Sequence, residues 1–122
     1  MGLKTTTLGA YPKPDYVPVR DWFQIKNGMT TAAATKRYQN DLVRAGPEAE
    51  SLFVRATDAA INDQIACGID VPSDGEMRRE NYVHYHCRHM AGFDFENLTK
   101  RVVRGGAYES DLPTIVSKIS AG

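Results

Sequence analysis

The 122-residue sequence is poor in the features that mark several classes of protein. Its two cysteines, Cys67 and Cys87, are too few for the disulfide framework of a small secreted domain. Fifteen basic and fifteen acidic side chains cancel, so no overall charge draws the chain to nucleic acid or to an anionic membrane. No apolar run approaches the roughly 20 residues of a membrane-spanning helix. The first residues also lack the apolar core of a secretory signal, and a reducing, cytoplasmic location is therefore expected.

What the sequence does contain is the composition of a folded domain, with 42% apolar and 25% charged residues. Apolar residues recur at helical spacing over residues 30–45, which predicts a first helix. Gly46-Pro47 breaks this pattern, and an apolar stripe over residues 48–67 predicts a second helix. Gly68 follows that stripe directly and suits the C-terminal cap of the second helix.

Two short segments are predicted to be strands. Thr5–Leu8 is rich in β-branched residues and ends at Gly9. Ile69–Pro72 follows the second helix at once and is predicted to be a short buried strand. A helix, a glycine, a brief apolar strand and then a charged loop form the order of an α/β unit. In such units the chemistry lies just past the carboxyl end of the strand.

Residues 74–89, directly after the second predicted strand, concentrate the side chains that can do chemistry. They include nine charged or imidazole groups: Asp74, Glu76, Arg78, Arg79, Glu80, His84, His86, Arg88 and His89. Carboxylates beside guanidinium groups stay ionised and can hold both ends of a zwitterion such as an amino acid. A solvated surface loop with ion pairs is the alternative interpretation. The position of the loop after a buried strand favours a binding site.

The run from His84 to His89 raises the possibility of a metal site. Imidazole and thiolate suit zinc, so the candidate ligands are His84, His86, Cys87 and His89, and the chain would then be a small metalloprotein. The neighbouring arginines disfavour a cation, and histidines in a buried polar layer are the plainer interpretation. Cys67, at the end of the second helix, is expected to be a small buried filler.

Two motifs carry a resemblance to a known family. Residues 5–12, Thr-Thr-Thr-Leu-Gly-Ala-Tyr-Pro, are similar to the pattern Thr-Thr-x-Ile-Gly-Ser-Phe-Pro. Residues 74–85, Asp-Gly-Glu-Met-Arg-Arg-Glu-Asn-Tyr-Val-His-Tyr, are similar to His-Gly-Glu-x-x-Arg-x-Asp-x-Val-x-Tyr. Both patterns, in this order and at this spacing, are typical of the catalytic domain of cobalamin-independent methionine synthase. The chain resembles that family over nearly its whole length.

The resemblance implies an α/β fold, the N-terminal portion of a (β/α)8 TIM barrel of the uroporphyrinogen decarboxylase and methionine synthase superfamily. A complete barrel needs about 200 residues or more. We therefore expect residues 1–122 to form a single partial barrel domain that holds the first strands and helices. Such a domain leaves a sheet edge unpaired and apolar helix faces exposed, which predicts a homo-oligomer.

The resemblance also implies zinc-dependent methyl transfer from a methylated folate to a small amino-acid thiol such as homocysteine. The family's zinc ligands lie beyond residue 122, so the chain is expected to be inactive alone. Ala10 stands where the family has serine, and Asp74 where it has histidine. A non-catalytic binding or assembly module derived from a barrel is the alternative function. The implied substrate-binding residues are Leu8, Gly9, Ala10, Asp74 and Glu76, with Arg79, Asn81 and Tyr85 in supporting positions.

Overall fold

The computed structural model describes residues 2–21, 24 and 34–122. Within it the chain divides into two compact units, each built from two segments. The first unit combines Met1–Val19 with Leu42–Arg78, and the second combines Arg20–Asp41 with Arg79–Gly122. The assignment of residues 1–122 to a single partial barrel domain stays a prediction. Among the described residues, no helix is both long and apolar enough to cross a bilayer.

Both predicted helices are present. The first, α1, spans Ala34–Ala45, and its predicted start at residue 30 lies outside the described residues. A 3-10 turn at Gly46–Glu48 leads directly into α2, which spans Ala49–Ala66 and confirms the second predicted helix. Pro47 lies in the first turn of a helix, where a backbone N–H would have no partner within the helix. The absence of an N–H on proline therefore costs no hydrogen bond at this position.

The C-terminal end of α2 is capped by glycine, as predicted. Gly68 has a φ of 80°, and its N–H donates to the carbonyl of Ile65 at 2.9 Å. The N–H of Ile69 donates to the carbonyl of Gln64 at 3.0 Å, which completes the pair of bonds typical of a glycine-terminated helix. Cys67 occupies the C-cap position and is exposed. The prediction that Cys67 is a buried filler is wrong, because the glycine turn leaves it on the solvent side.

The two predicted strands of the first unit pair through a single parallel bridge between Thr6 and Val71. The N–H of Val71 donates to the carbonyl of Thr5 at 3.0 Å, and Thr6 Oγ1 donates to the carbonyl of Val71 at 2.7 Å. The prediction of a buried strand at Ile69–Pro72 is wrong in its burial, since Val71 is 50% exposed. The physical reason is that, in the described part of the chain, no further strand flanks this pair.

The core of the first unit lies against one face of α2. Its buried residues recur three or four positions apart, the spacing of one helix face: Phe53, Ala56, Ala60 and Gln64. Val17, Val19 and Met77 add buried apolar side chains from the rest of the unit. Gln64 is the one polar member of the helix face, and its partners are the loops of the candidate site.

The second unit pairs a short helix with a long β-hairpin. Helix α3 spans Tyr82–Arg88, and the antiparallel strands β1 and β2 span Met90–Val103 and Tyr108–Ala121. A 3-10 turn at Arg104–Gly106 joins the strands, and Gly105 has a φ of 64° there. The helices and sheet agree with the predicted α/β class. The antiparallel pairing differs from the parallel strands of a barrel, because so short a turn can only reverse the chain.

Asn81 is the N-cap residue of α3. Its side-chain oxygen accepts hydrogen bonds from the N–H groups of Val83 at 2.8 Å and His84 at 3.1 Å. An asparagine in this position satisfies donors that the first turn of a helix leaves unpaired. The side chain of Asn81 is therefore occupied by hydrogen bonds to the first turn of α3.

Buried polar groups connect α3 to the rest of the second unit. Arg88 and Glu80 form an ion pair at 2.5 Å, with side chains 11% and 9% exposed. The Arg88 guanidinium also lies 4.1 Å from the centroid of the Tyr38 ring, where the π-system stabilises its charge. The His84 ring meets Phe95 edge-on at 6.1 Å, and its Nε2 lies 3.2 Å from the carbonyl oxygen of Asp111. These contacts fasten α3 to both strands of the hairpin.

We predict that His84 makes the stability of the chain fall in mild acid. Burial lowers the pKa of His84, and the opposing effects of the Asp111 carbonyl and the Glu80 charge are smaller. The unfolded chain therefore binds the proton first, so stability is full above about pH 6.5 and decreases below it. Urea denaturation at pH 7.5 and 5.5 should show a smaller loss for His84→Gln than for the wild type.

The matched control for this experiment is His86→Gln, an exposed position on the same helix. That variant should keep the wild-type dependence of stability on pH. Equal pH dependence in the wild type and in His84→Gln would contradict the prediction.

Candidate functional site

The two turns implicated by the sequence are neighbours at one end of the first unit. We call Leu8–Ala10 the first turn and Asp74–Glu76 the second turn. Because the Thr6–Val71 bridge is parallel, both chains continue from it in the same direction. The N–H of Tyr11, directly after the first turn, donates to the carbonyl of Gly75 within the second turn at 3.0 Å. The turns are therefore held side by side by the bridge that precedes them and by this bond to the second turn.

A clasp between Thr5 and Asp70 fixes the register of this pair. The Thr5 N–H and Oγ1 both donate to Asp70 Oδ2, at 2.8 and 2.9 Å, and the Asp70 N–H donates to Thr5 Oγ1 at 3.2 Å. Donation from Thr5 holds the pKa of the Asp70 carboxyl below its usual range, so this group is charged at neutral pH. A one-residue slip of either chain would break all of these bonds.

Gln64 reaches from α2 to the residues that precede both turns. Its Oε1 accepts from Thr7 Oγ1 at 2.6 Å and from the Ser73 N–H at 2.9 Å. Its Nε2 donates to the carbonyls of Ser73 at 2.9 Å and Ala60 at 2.8 Å. The side chain is 1% exposed, and every donor and acceptor direction of a side-chain amide is used. Thr7 Oγ1 and Ser73 Oγ also lie 3.2 Å apart and share a hydrogen bond.

The second turn has an unusual backbone. Gly75 and Glu76 both have positive φ, 67° and 58°. The Asp74 carboxylate stabilises this shape, since its Oδ1 accepts from the Glu76 N–H at 2.9 Å. A Cβ on Gly75 would lie 2.9 Å from Tyr11 Cβ and 3.0 Å from Ala60 Cβ, both fixed to backbone. Glycine is therefore required here by the close packing of the turn on its neighbours, as well as by its φ.

The residues of the first turn are exposed to solvent. Leu8 is 102% exposed, Gly9 has a φ of 93°, and Ala10 is also exposed. In the neighbouring turn Asp74 is exposed and Glu76 is half-buried. Exposed backbone N–H and C=O groups beside carboxylates can bind the carboxylate and the ammonium of an amino acid.

Three of the predicted site residues belong to the second unit, and each has a local partner there. The Arg79 guanidinium lies 5.7 Å from the centroid of the Tyr82 ring. Asn81 caps α3. Tyr85 meets the rings of His86 and His89 edge-on, at 5.4 and 5.0 Å. The geometry of the two turns thus involves the other five predicted residues.

Zinc does not fit the side chains that the structure describes. Within residues 2–21, 24 and 34–122, no three His, Cys, Asp or Glu side chains are placed to hold a metal ion. His84 faces the hairpin, the Tyr85 ring contacts both His86 and His89, and Cys87 is a half-buried free thiol. The candidate ligands do not converge, and no chemical step is assigned to zinc on this chain.

A groove lies beside α2 in the first unit. It has a volume of about 520 Å³, and its lining includes Tyr11, Pro14 and Met77 together with small side chains of the helix. The Tyr11 hydroxyl donates to the Asp63 carboxylate there, which raises the pKa of Tyr11. None of the turn residues lines this groove. Tyr11, Ala60 and Met77 line the groove and also lie against Gly75 of the second turn.

The sequence identified residues of the two turns, but it did not identify the residues that support these turns from behind. Gln64, Thr7 and Ser73 hold the turns but carry no charge; Gln64 and Ser73 lie outside both motifs, and Thr7 falls at the unspecified position of the first. The available signal was position: Gln64 follows Ala60 by four residues and so falls on the buried face of α2. A polar residue at a core position of a helix needs buried partners, and here those partners are the loops of the site.

Comparison with known proteins gives concordant results. The sequence matches the family described as cobalamin-independent synthase, catalytic domain, over residues 3–122. Methionine synthase of Saccharolobus solfataricus is 32% identical over 117 residues, which are 96% of this chain and 30% of the relative. That of Sulfurisphaera tokodaii is also 32% identical over 117 residues, covering 96% of this chain and 29% of its own length.

A solved structure shows the same likeness in three dimensions. A B12-independent methionine synthase from a Shewanella species, in complex with selenomethionine, matches with a TM-score of 0.67 at 27% identity. The match covers 98% of this chain and 30% of that chain. This chain therefore spans about three tenths of the length of the relatives it matches. From the sequence match over residues 3–122 and the structural likeness together, the chain belongs to the cobalamin-independent methionine synthase family, within its catalytic domain.

Proposed function

We propose that the two turns are the amino-acid-binding part of a methyltransferase that moves a methyl group from a methylated folate to a thiol such as homocysteine. The observation that carries the proposal is the Tyr11–Gly75 hydrogen bond beyond the parallel bridge, which places the turns next to each other. Membership of the methionine synthase family supports methyl transfer as the reaction. The selenomethionine complex of the Shewanella relative supports an amino acid as the ligand class.

The chemistry of the turns suits a zwitterion. The backbone N–H groups of the first turn can receive an amino-acid carboxylate, and the Glu76 carboxylate can receive its ammonium group. Such charge-assisted bonds are about twice as strong as neutral ones. Asp74 adds a second negative charge beside Glu76, which favours a cationic group at this end of the ligand. In this proposal the turns hold and orient the amino acid, while its side-chain thiol remains free to react.

Glu76→Gln should weaken amino-acid binding. The substitution keeps the size of the side chain and removes its charge, and a hydrogen bond to a charged group contributes about 1.5–3 kcal/mol. We expect the Kd for methionine or homocysteine, measured by isothermal titration calorimetry, to rise about tenfold or more. Glu96→Gln, an exposed carboxylate on β1, is the matched control and should bind as the wild type does. Equal affinity in Glu76→Gln would mean that the second turn is charged surface.

The isolated chain should bind the amino acid without turning it over. Methyl transfer also needs a thiol-activating group and a folate site, and the described residues offer no metal-ligand set. We expect no methionine above background when the purified chain is incubated with homocysteine, a methylated folate and zinc. Methionine detected by mass spectrometry at catalytic amounts would overturn the claim that these 122 residues are insufficient.

We further propose that copies of the chain associate. Apolar side chains of the first unit face solvent, including Val54 at 45%, Ile65 at 57% and Val71 at 50% exposure. Covering such surface contributes about 25 cal/mol per Å² of apolar area. Soluble monomers rarely leave clustered apolar surface uncovered. A second copy can cover it in a symmetric pair, because the same surface then serves both partners.

Light scattering coupled to size exclusion should show a species larger than a monomer. Ile65→Asp places a charge on the exposed side of α2 and should shift the chain towards monomer, while Asn62→Asp, on the same helix, should not. A clean wild-type monomer at every concentration tested would contradict the proposed association.

A further inference from the structure

Gln64 is placed to control the geometry of the amino-acid site from behind it. Its amide is buried and lies in α2, and it touches neither of the turns directly. We propose that Gln64 is a positioning residue, which sets the separation between the backbone of the first turn and the Glu76 carboxylate. This inference rests on the proposed function, because the separation matters for a ligand that both turns hold.

The Gln64 amide binds the residues that precede the two turns. Thr7 directly precedes the first turn, and Ser73 directly precedes the second. Thr7 Oγ1 and the Ser73 N–H both donate to the same atom, Gln64 Oε1, at 2.6 and 2.9 Å. A shift of this one oxygen therefore displaces the start of both turns together.

Backbone pairing between the two segments that precede the turns is limited. In the described part of the first unit, the two segments are joined by the Thr6–Val71 bridge and next by the Tyr11–Gly75 bond. Between these points the described residues make no backbone–backbone bond to each other, and the Thr7 and Ser73 hydroxyls share a hydrogen bond at 3.2 Å. The Ser73 N–H and C=O, which would pair with a neighbouring strand, are bound instead by the Gln64 amide. The amide thus takes the place of a ladder partner for Ser73 and is also bound to Thr7 of the other segment.

The second turn packs tightly against α2. Gly75 lies so close to Ala60 that even a methyl group would meet Ala60 Cβ at 3.0 Å. Gln64 also donates to the Ala60 carbonyl at 2.8 Å, so its amide is itself fixed to the helix. The helix, the amide and the turn form one rigid contact, and a small change in Gln64 is transmitted to Glu76. Misplacing a binding group by about 1 Å can cost up to about a hundredfold in function.

Gln64→Met tests the inference, since the methionine side chain keeps the length and burial of glutamine but makes none of its hydrogen bonds. Binding of free methionine, the ligand, is measured by calorimetry under conditions in which circular dichroism shows the variant to be folded. We expect affinity to fall about tenfold or more. Phe53→Leu, on the same buried face of α2, is the control for loss of stability and should bind within about twofold of the wild type.

A second variant and a second readout cover the case in which Gln64→Met does not fold. Thr7→Val is milder, because it removes one bond to the amide, together with the Thr7–Ser73 hydroxyl bond, and leaves the bonds between Gln64 and Ser73. In both variants the amide resonances of Leu8, Ala10 and Glu76 should shift and the Tyr11 N–H should exchange faster with solvent. Phe53→Leu should change neither.

The two readouts separate failure of this inference from failure of the proposed function. If the wild-type chain does not bind methionine, the amino-acid site is wrong, and the resonances alone decide whether Gln64 positions the turns. If folded Gln64→Met and Thr7→Val bind with wild-type affinity and show unshifted turn resonances, Gln64 is a structural residue and the inference is overturned.

Discussion

A buried amide and the hydrogen bonds it satisfies determine the shape of the first unit. Parallel strands normally satisfy each other's backbone groups along their length, but here the pairing is limited to one bridge. The unpaired groups of Ser73 would be costly to bury without partners, by about 1–3 kcal/mol each. Gln64 supplies those partners from a helix, so the backbone groups of Ser73 are satisfied although no strand pairs with them.

In the second unit, buried polar contacts are made mainly by charged side chains. Glu80 and Arg88 are nearly buried, and such a pair stabilises a fold only when both partners stay in place. Tyr38 adds an aromatic face to the guanidinium, and His84 adds a contact to the hairpin backbone. The helix α3 has seven residues, too few to be stable in isolation. Its side chains, rather than its own helical bonds, hold it against the strands.

The sequence predicted the elements whose signals are local. Gly46-Pro47 and Gly68 mark the ends of α2 because their effects act within one helical turn, and the structure confirms both. The hairpin was largely missed, since pairing of Met90 with Ala121 depends on residues thirty-one positions apart. The burial of Cys67 and of Ile69–Pro72 was also mispredicted. Burial depends on which other elements cover a segment, and hydrophobic pattern alone cannot state that.

The candidate site shows the same division between local and distant signals. Leu8, Gly9, Asp74 and Glu76 came from motifs, and the structure places their turns side by side. Gln64 was missed because its importance lies in contacts fifty-seven positions away in sequence, with Thr7. A motif identifies residues with an unusual composition, whereas the residues that support them look ordinary. Supporting residues are found by identifying the hydrogen-bond partners of each buried polar group.

Asp74 illustrates how a departure from a family motif can be understood through local geometry. Its carboxylate accepts the Glu76 N–H within the turn, and Glu76 has a positive φ that costs a non-glycine residue about 1–2 kcal/mol. Aspartate is well suited to this bond because its short side chain reaches the backbone two residues on. Asp74, at the position where the motif has histidine, therefore has a structural task of its own: it holds the backbone of Glu76 in its positive-φ conformation.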